Sequence, residues 1–274
     1  MIRIITLLIL LLSYSLFAQN FQGEVTYQTH RKIELKLNDD KANAEMQKQL
    51  QEMLKKQFQK EFVLQFNAEE SIYKEEKSLG KPSPAMGGME IIVAGGGDAD
   101  VLYKNIKEER FSNKTEMLGK SFLVKDSLTD YKWQLENETK QIGNYTCYKA
   151  IAKRVQRIFM NKTENGKEPE SIDEEKEIVI TAWYTPEIPV SNGPSYYSGL
   201  PGLILEINDG DQSILCTKIV LNPKDDLKIE EPTKGKKVSK QEFDTILEKK
   251  MKEMTERTSG RKGDGNTIEI KIGG

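Results

Sequence analysis

The segment that leaves this chain least choice is Gly199-Leu200-Pro201-Gly202-Leu203-Ile204. Two glycines and a proline sit inside an apolar run, directly ahead of the strand-like Leu203-Ile204-Leu205-Glu206-Ile207. Glycine tolerates positive φ, and proline fixes φ near about −65° and removes a donor. Such a segment forces one path of the chain into a β-strand. It holds no acid, base or nucleophile, so it reads as a shape device. Gly199 or Gly202 is expected to adopt a backbone conformation costly for other residues, with Leu200 and Leu203 buried.

The N-terminus has a different logic. Arg3 is a charged start, Ile4 to Leu12 is nearly unbroken apolar sequence, and Leu16-Phe17-Ala18 ends on a small residue. That pattern is a secretory signal peptide over residues 1–18. Its apolar run is short for a membrane span, which needs about 20 residues. Gln19 follows, so no lipoprotein cysteine stands at the cleavage site. The mature chain is expected to be exported, periplasmic or associated with the outer membrane, and soluble once the leader is cleaved.

Removing the leader takes Arg3 from the 41 basic residues and leaves the 43 acidic ones in place. An excess of negative charge argues against nucleic acid, whose phosphates are bound by clustered positive charge. Hydrophobic residues make up 37% and charged residues 31% of the chain, enough for a core under a heavily solvated surface.

Val25, Tyr27 and Thr29 alternate with polar neighbours, as in a half-buried strand. Asn38-Asp39-Asp40 offers an N-cap, and Met46, Leu50, Met53, Leu54 and Phe58 recur at helical spacing. Residues 62–66 and 71–74 read as a hairpin turning through Asn67-Ala68-Glu69-Glu70. Residues 80–100 are rich in Gly, Pro and Met and read as an insertion, in which 89–94 could form an edge strand. Successive strands are then expected, the clearest at 122–124, 132–135 and 145–152. Residues 161–176 are polar and acidic and read as a loop. Val179, Thr181 and Trp183 share one face of the next strand, which Pro186 and Pro189 end. Asn208-Asp209-Gly210-Asp211 is a hairpin turn. Ser239-Lys240-Gln241-Glu242 is a capping box ahead of a second helix carrying Phe243, Ile246, Leu247, Met251 and Met254. Residues 257–274 form a polar tail, with a candidate edge strand at 267–272.

The chain resembles the GLPGLI family, exported proteins typical of Bacteroidetes-type bacteria and named for the hexapeptide at 199–204. The likeness includes Ser71-Ile72-Tyr73-Lys74, Asp126-Ser127-Leu128, Trp133, Ile142-Gly143-Asn144-Tyr145-Thr146-Cys147-Tyr148-Lys149-Ala150, Thr181-Ala182-Trp183-Tyr184-Thr185-Pro186-Glu187-Ile188-Pro189-Val190, Gly193-Pro194 and Pro232-Thr233-Lys234-Gly235-Lys236. The resemblance implies export, a β-rich body over 19–256 and an envelope location, and brings no catalytic or cofactor residues. Successive strands with a covering helix also look like the half-barrel of periplasmic lipoprotein carriers. The fold expected is therefore mainly β (α+β), a curved antiparallel sheet with two helices.

His30 is the sole histidine, and it stands among polar residues of the first strand, where an exposed position is the simpler account than a catalytic one. One His and two distant Cys do not make a conventional zinc site. Asp209 and Asp211 suit a turn better than calcium. No cofactor is expected. Cys147 and Cys216 are a candidate disulfide, with two separate buried thiols as the alternative. Trp133, Trp183, Tyr184, Pro189, Tyr196, Tyr197, Leu200 and Pro201 form the candidate surface for a ligand or partner, and the alternative for the aromatics is a core role. The function expected is a non-enzymatic binding module for a lipid-like or peptidic ligand or an outer-membrane protein. The alternative is an envelope hydrolase acting on peptide or glycan. Intact mass of the protein secreted by its host should correspond to a chain starting at Gln19; a start at Met1 would show that the leader is kept.

Overall fold

Alternation sets the first strand, β1 (Gly23–Arg31), in which Val25, Tyr27 and Thr29 are buried and His30 is exposed. The computed structural model describes residues 21–31, 33–37, 52, 59–76, 100–162, 170–259 and 268–272. The expected leader, the first expected helix apart from Glu52, and residues 80–99 of the insertion with their candidate edge strand lie outside the described residues.

The remaining elements are β2 (Ile33–Leu37), β3 (Lys60–Phe66), β4 (Glu70–Glu75), β5 (Val101–Asn105), β6 (Arg110–Met117), β7 (Lys120–Ser127), β8 (Gln134–Ile142), β9 (Tyr145–Lys162), β10 (Glu170–Thr185), β11 (Leu203–Asn208), β12 (Gln212–Leu221), β13 (Lys236–Val238), α1 (Lys240–Ser259) and β14 (Ile268–Ile272). Twelve strands form one open, mostly antiparallel sheet in the order β13-β7-β6-β5-β4-β3-β1-β12-β11-β10-β9-β8. Strand β13 joins β7 in parallel. The tail strand expected at 267–272 is present as β14, antiparallel to β2 in a separate two-stranded sheet.

Of the two expected helices, the described residues give a full range for the second alone, α1, and hold only Glu52, in helical conformation, of the first. One expectation is corrected. Residues 161–176 are not a loop throughout: β9 runs to Lys162 and β10 starts at Glu170, and Glu170 pairs with Lys162. Ladder hydrogen bonds to a neighbouring strand satisfy the backbone whatever the side chains are. A polar composition therefore does not end a strand that has a partner.

The chain divides into two compact units. The first comprises Met1–Tyr27, Glu61–Leu128 and Thr217–Arg261. Its core is aromatic: Phe62 stacks on Tyr73 at 4.9 Å between centroids, Tyr27 meets Tyr73 at 6.3 Å, and Phe21 meets Phe66 at 6.2 Å. The β3–β4 turn is closed by Asn67, whose Oδ1 accepts from the amides of Glu69 and Glu70 at 2.9 and 2.7 Å. The capping box forms as the sequence implies. Glu242 N donates to Ser239 Oγ at 3.2 Å, and Ser239 N donates to Glu242 Oε2 at 2.8 Å. Helix α1 then packs Phe243 edge-on to Phe122 at 5.4 Å.

The segment that leads into β13 is tied to the sheet through Glu231. Its Oε1 accepts from Ser112 Oγ at 2.5 Å and Lys125 Nζ at 2.7 Å, and Arg110 lies at 3.1 Å. Burial raises this carboxyl, but the hydrogen bonds from Lys125, Ser112 and Arg110 outweigh it and hold the pKa at about 2.

Lys104 is the anomaly of this unit. It sits on β5 opposite Ser71 on β4 and Phe111 on β6, and its side chain is fully buried. Removal from water penalises the charged ammonium and pulls its pKa from 10.5 down to about 7. The unfolded chain then binds more protons than the fold between about pH 7 and 10.5, so this group's contribution to stability rises with pH across that window. Lys104→Met should be more stable than wild type in urea unfolding at pH 7. The gap should narrow toward pH 9.5, by at most about 1.4 kcal/mol per pH unit. Parallel profiles for the two proteins would show that Lys104 does not titrate in this way.

Candidate functional site

The second unit comprises Gln28–Lys60, Thr129–Cys216 and Lys262–Gly274, and it holds the Gly-Leu-Pro-Gly segment with every candidate surface residue. Strand β10 ends at Thr185, and the chain reaches β11 through a loop whose backbone is tied at short intervals. Val190 N donates to Ile188 O, Asn192 N to Val190 O, and Gly202 N to Leu200 O, each at 2.8 Å. These are three-residue turns, and two of them centre on Pro189 and Pro201, whose fixed φ suits the inverse γ-turn. Leu203 N donates to Ile188 O at 3.0 Å, and Ile204 N to Asn192 O at 2.9 Å, so the loop is stitched to the first residues of β11.

Gly202 explains why glycine is required here. Its φ is +154°, and a Cβ added to it would lie 2.2 Å from Thr185 O and 2.9 Å from Pro186 Cα. Gly199 differs: φ is +93°, but a Cβ there would meet only Trp133 side-chain atoms, at 3.7 Å. Leu200 and Leu203 are 1% and 0% exposed, as the sequence implies.

The candidate residues do not make one surface. Trp133, half-buried, donates from Nε1 to Ser198 O at 2.8 Å and stacks on Tyr131 at 5.2 Å. Tyr131 meets Tyr197 at 5.1 Å, and the Tyr197 hydroxyl donates to buried Asp209 Oδ2 at 3.0 Å. Burial pushes the Tyr131 phenol up to about 12 and the Tyr197 phenol higher still, with Asp209 adding to the latter. Asp209 also accepts from the amides of Asp211 and Gln212, so it closes the β11–β12 turn. Arg154 carries a charge felt by both tyrosines. Its partner across the ladder is Ile178, on the face of β10 that also presents buried Ile180, Ala182 and Tyr184.

Trp183 occupies the opposite face. Its neighbours are Lys149 on β9 and Glu206 on β11. Lys140 Nζ sits over the Trp183 ring at 4.4 Å and binds Glu206 Oε2 at 2.6 Å. Cys147, paired with Lys140 across the ladder, is 0% exposed. Burial pushes its thiol up to about 11, with Lys140 opposing and Glu187 and Glu206 reinforcing the shift. Pleating separates Trp183 from Tyr184 because successive side chains point to opposite faces of a sheet.

Tyr184, Tyr197 and Leu200 are therefore core residues, at 5%, 4% and 1% exposure. Pro189 and Pro201 are exposed, and Trp133, Trp183 and Tyr196 are half-buried. The sequence reading missed Tyr131, Lys140, Arg154 and Glu206. A cation–π or stacking partner on another strand leaves no local signal; only the register reveals it. Cys147 and Cys216 are free cysteines, the first buried and the second half-buried. His30 is exposed. Among the described residues no group of three or more His, Cys, Asp or Glu could hold a metal ion. No described helix is long and apolar enough to cross a membrane.

Residues 133–206, the span from the stacked Trp133 to Glu206, match the model of a family described as a protein of unknown function (Porph_ging). No curated protein matches the chain. Two solved structures of PNGF-II, in space groups P21 and C2, are similar at a TM-score of 0.48 with 15% and 16% identity. They cover 84% of this chain and 34% and 33% of their own, so the chain spans about a third of their length.

The two glycines should respond unequally to Ala. Gly202→Ala combines a strained φ with a backbone clash and should cost on the order of 3 kcal/mol or more. Gly199→Ala carries the strain alone and should cost about 1–2 kcal/mol. Thermal unfolding of both variants is the check, and equal losses would contradict the close approach at Thr185.

Proposed function

We propose that this chain is an exported envelope protein of the GLPGLI type that acts by binding, and that the loop around Pro189, Tyr196 and Pro201 is its contact edge. The ligand is a peptidic or hydrophobic segment, free or belonging to an outer-membrane partner. The observation that carries the reading is the state of Trp133. Its ring is partly open to solvent, yet its position is held by the hydrogen bond to Ser198 O and by the stack on Tyr131.

An aromatic ring that is both reachable and immobile costs little entropy to bind. The neighbouring prolines and the short-range turns fix the backbone in the same way. Rigid aromatic and proline-rich edges are a recurring means of gripping extended peptides. The leader-like residues 1–18 support the envelope location, and the curved, half-barrel arrangement expected from the strand pattern belongs to the same proposal.

The test uses the mature protein purified from envelope fractions. Native mass spectrometry should retain a bound peptide or amphiphile. The double variant Tyr196→Lys with Pro201→Lys should lose it while remaining folded, with a melting temperature only slightly lowered by the loss of the proline. Wild-type protein that is repeatedly empty, or a ligand equally retained by the double variant, would overturn the proposal.

A further inference from the structure

The hairpin joining β6 to β7, in the first unit, spends backbone energy on an exposed leucine. It turns through Leu118 and Gly119, both at positive φ, +49° and +73°. Two-residue turns of this kind favour Asn or Asp followed by Gly, because both central residues are left-handed. Leucine at such a position carries backbone strain, because its Cβ crowds the following carbonyl oxygen. Burial does not offset that cost, since Leu118 is 59% exposed. A strained, exposed, large apolar side chain points to a contact outside the fold.

The surroundings say what kind of contact. Beside the turn lies a groove of about 390 Å³. Its apolar walls are Met117, Leu118, Phe122 and Ile246, with Phe122 buried as its floor. Its polar edge is Lys120, Lys236, Lys250 and Glu253. Glu253 is paired with Lys250 at 2.6 Å. Lys120 and Lys236 make no ion pair of their own among the described residues, and although the Glu242 carboxylate feels the Lys236 charge, the groove's edge keeps an excess of positive charge. The volume lies at the low end of the range for small-ligand sites, about 300–1,000 Å³.

We propose that this groove binds a single-chain anionic amphiphile, the acyl chain lying along Leu118, Met117 and Ile246 and the anionic head meeting Lys120 and Lys236. Charge complementarity selects an anionic head, and the apolar walls select an unbranched chain. The site stands independently of the aromatic edge in the other unit.

Monomeric myristate, below its micellar concentration, is the probe, and calorimetric titration of the mature protein is the measurement. Myristate should bind at least tenfold tighter than its neutral methyl ester. Lys120→Glu with Lys236→Glu should remove that difference. Leu118→Asn, which suits the turn, should weaken myristate at least fivefold while the melting temperature holds or rises. Tyr196→Lys with Pro201→Lys should leave myristate binding unchanged, so that failure here and failure of the peptide-edge reading are separate results. Equal binding of acid and ester, or undiminished binding by both groove variants, would overturn the proposal. So would binding to anionic vesicles without binding to monomeric myristate, which would make the hairpin a bilayer contact.

Discussion

The backbone of Gly202 lies against that of Thr185 more closely than any side chain allows, with 2.2 Å separating the carbonyl oxygen from the place a Cβ would occupy. This approach joins the end of β10 to the entry of β11. Once it is made, Leu203 N reaches Ile188 O and Ile204 N reaches Asn192 O. The register of β11 on β10 follows, including the irregularity at Trp183 and Tyr184, where Glu206 pairs with the first and Ile204 with the second. Leu205, with no partner in that ladder, is nevertheless fully buried. The irregularity leaves Glu206 on the face of Trp183, within reach of Lys140.

The two faces of β10 consequently have different chemistry. One carries an ion pair and a cation–π contact, Lys140 with Glu206 and Trp183. Their lysine and glutamate side chains remain 33% and 25% exposed, so the pair orders the surface more than it stabilises the fold. The other presents the buried Ile180, Ala182 and Tyr184. In the same unit a run of aromatic contacts goes from Trp133 through Tyr131 to Tyr197 and ends on the buried carboxylate of Asp209. Stacked aromatic pairs add about 0.5–1.5 kcal/mol beyond the area they bury. The Tyr197 to Asp209 bond joins this run to the β11–β12 turn. Trp133 is thus held at one end by a loop carbonyl and at the other by a chain of rings fixed to the sheet. Immobility of that kind makes a partly open ring useful for binding.

Strain and polarity are distributed differently in the first unit. Lys104 is buried at a cost in solvation, and Glu231 is paired so well that its carboxyl stays ionised far into acid. Leu118 is strained in the backbone and gains no burial. Each departs from what local preference would choose. Glu231 has a structural return, the attachment of the segment that leads into β13. Leu118 has none within the described fold, which is why a ligand supplies the natural explanation.

Much of the strand architecture is legible in the sequence. Period-two alternation placed Val25, Tyr27 and Thr29 inside. Asn67 and Asp209 marked turns by chemistry that acts within three residues, and Ser239 with Glu242 marked a helix start in the same way. The glycines of 199–204 announced an unusual chain path. These features are local, so the residues that cause them are adjacent in sequence. What the sequence left open depends on pairing between distant strands. Alternation put Val179, Thr181 and Trp183 on one face but could not say that this face would carry Lys140 and Glu206, or that Trp133 and Tyr197 would both meet Tyr131. Composition suggested a loop at 161–176, where residues 170–176 instead pair with β9, and it left open the bridging of two cysteines that are both free. The sequence by itself determined where the chain turns and which side chains share a face within each strand, because those follow from φ/ψ preferences and a two-residue period. Only the tertiary structure decided which strands lie side by side and in what register, because a ladder's hydrogen bonds are satisfied equally well by any side chains and the choice among registers is made by packing at sites such as Gly202 and Thr185.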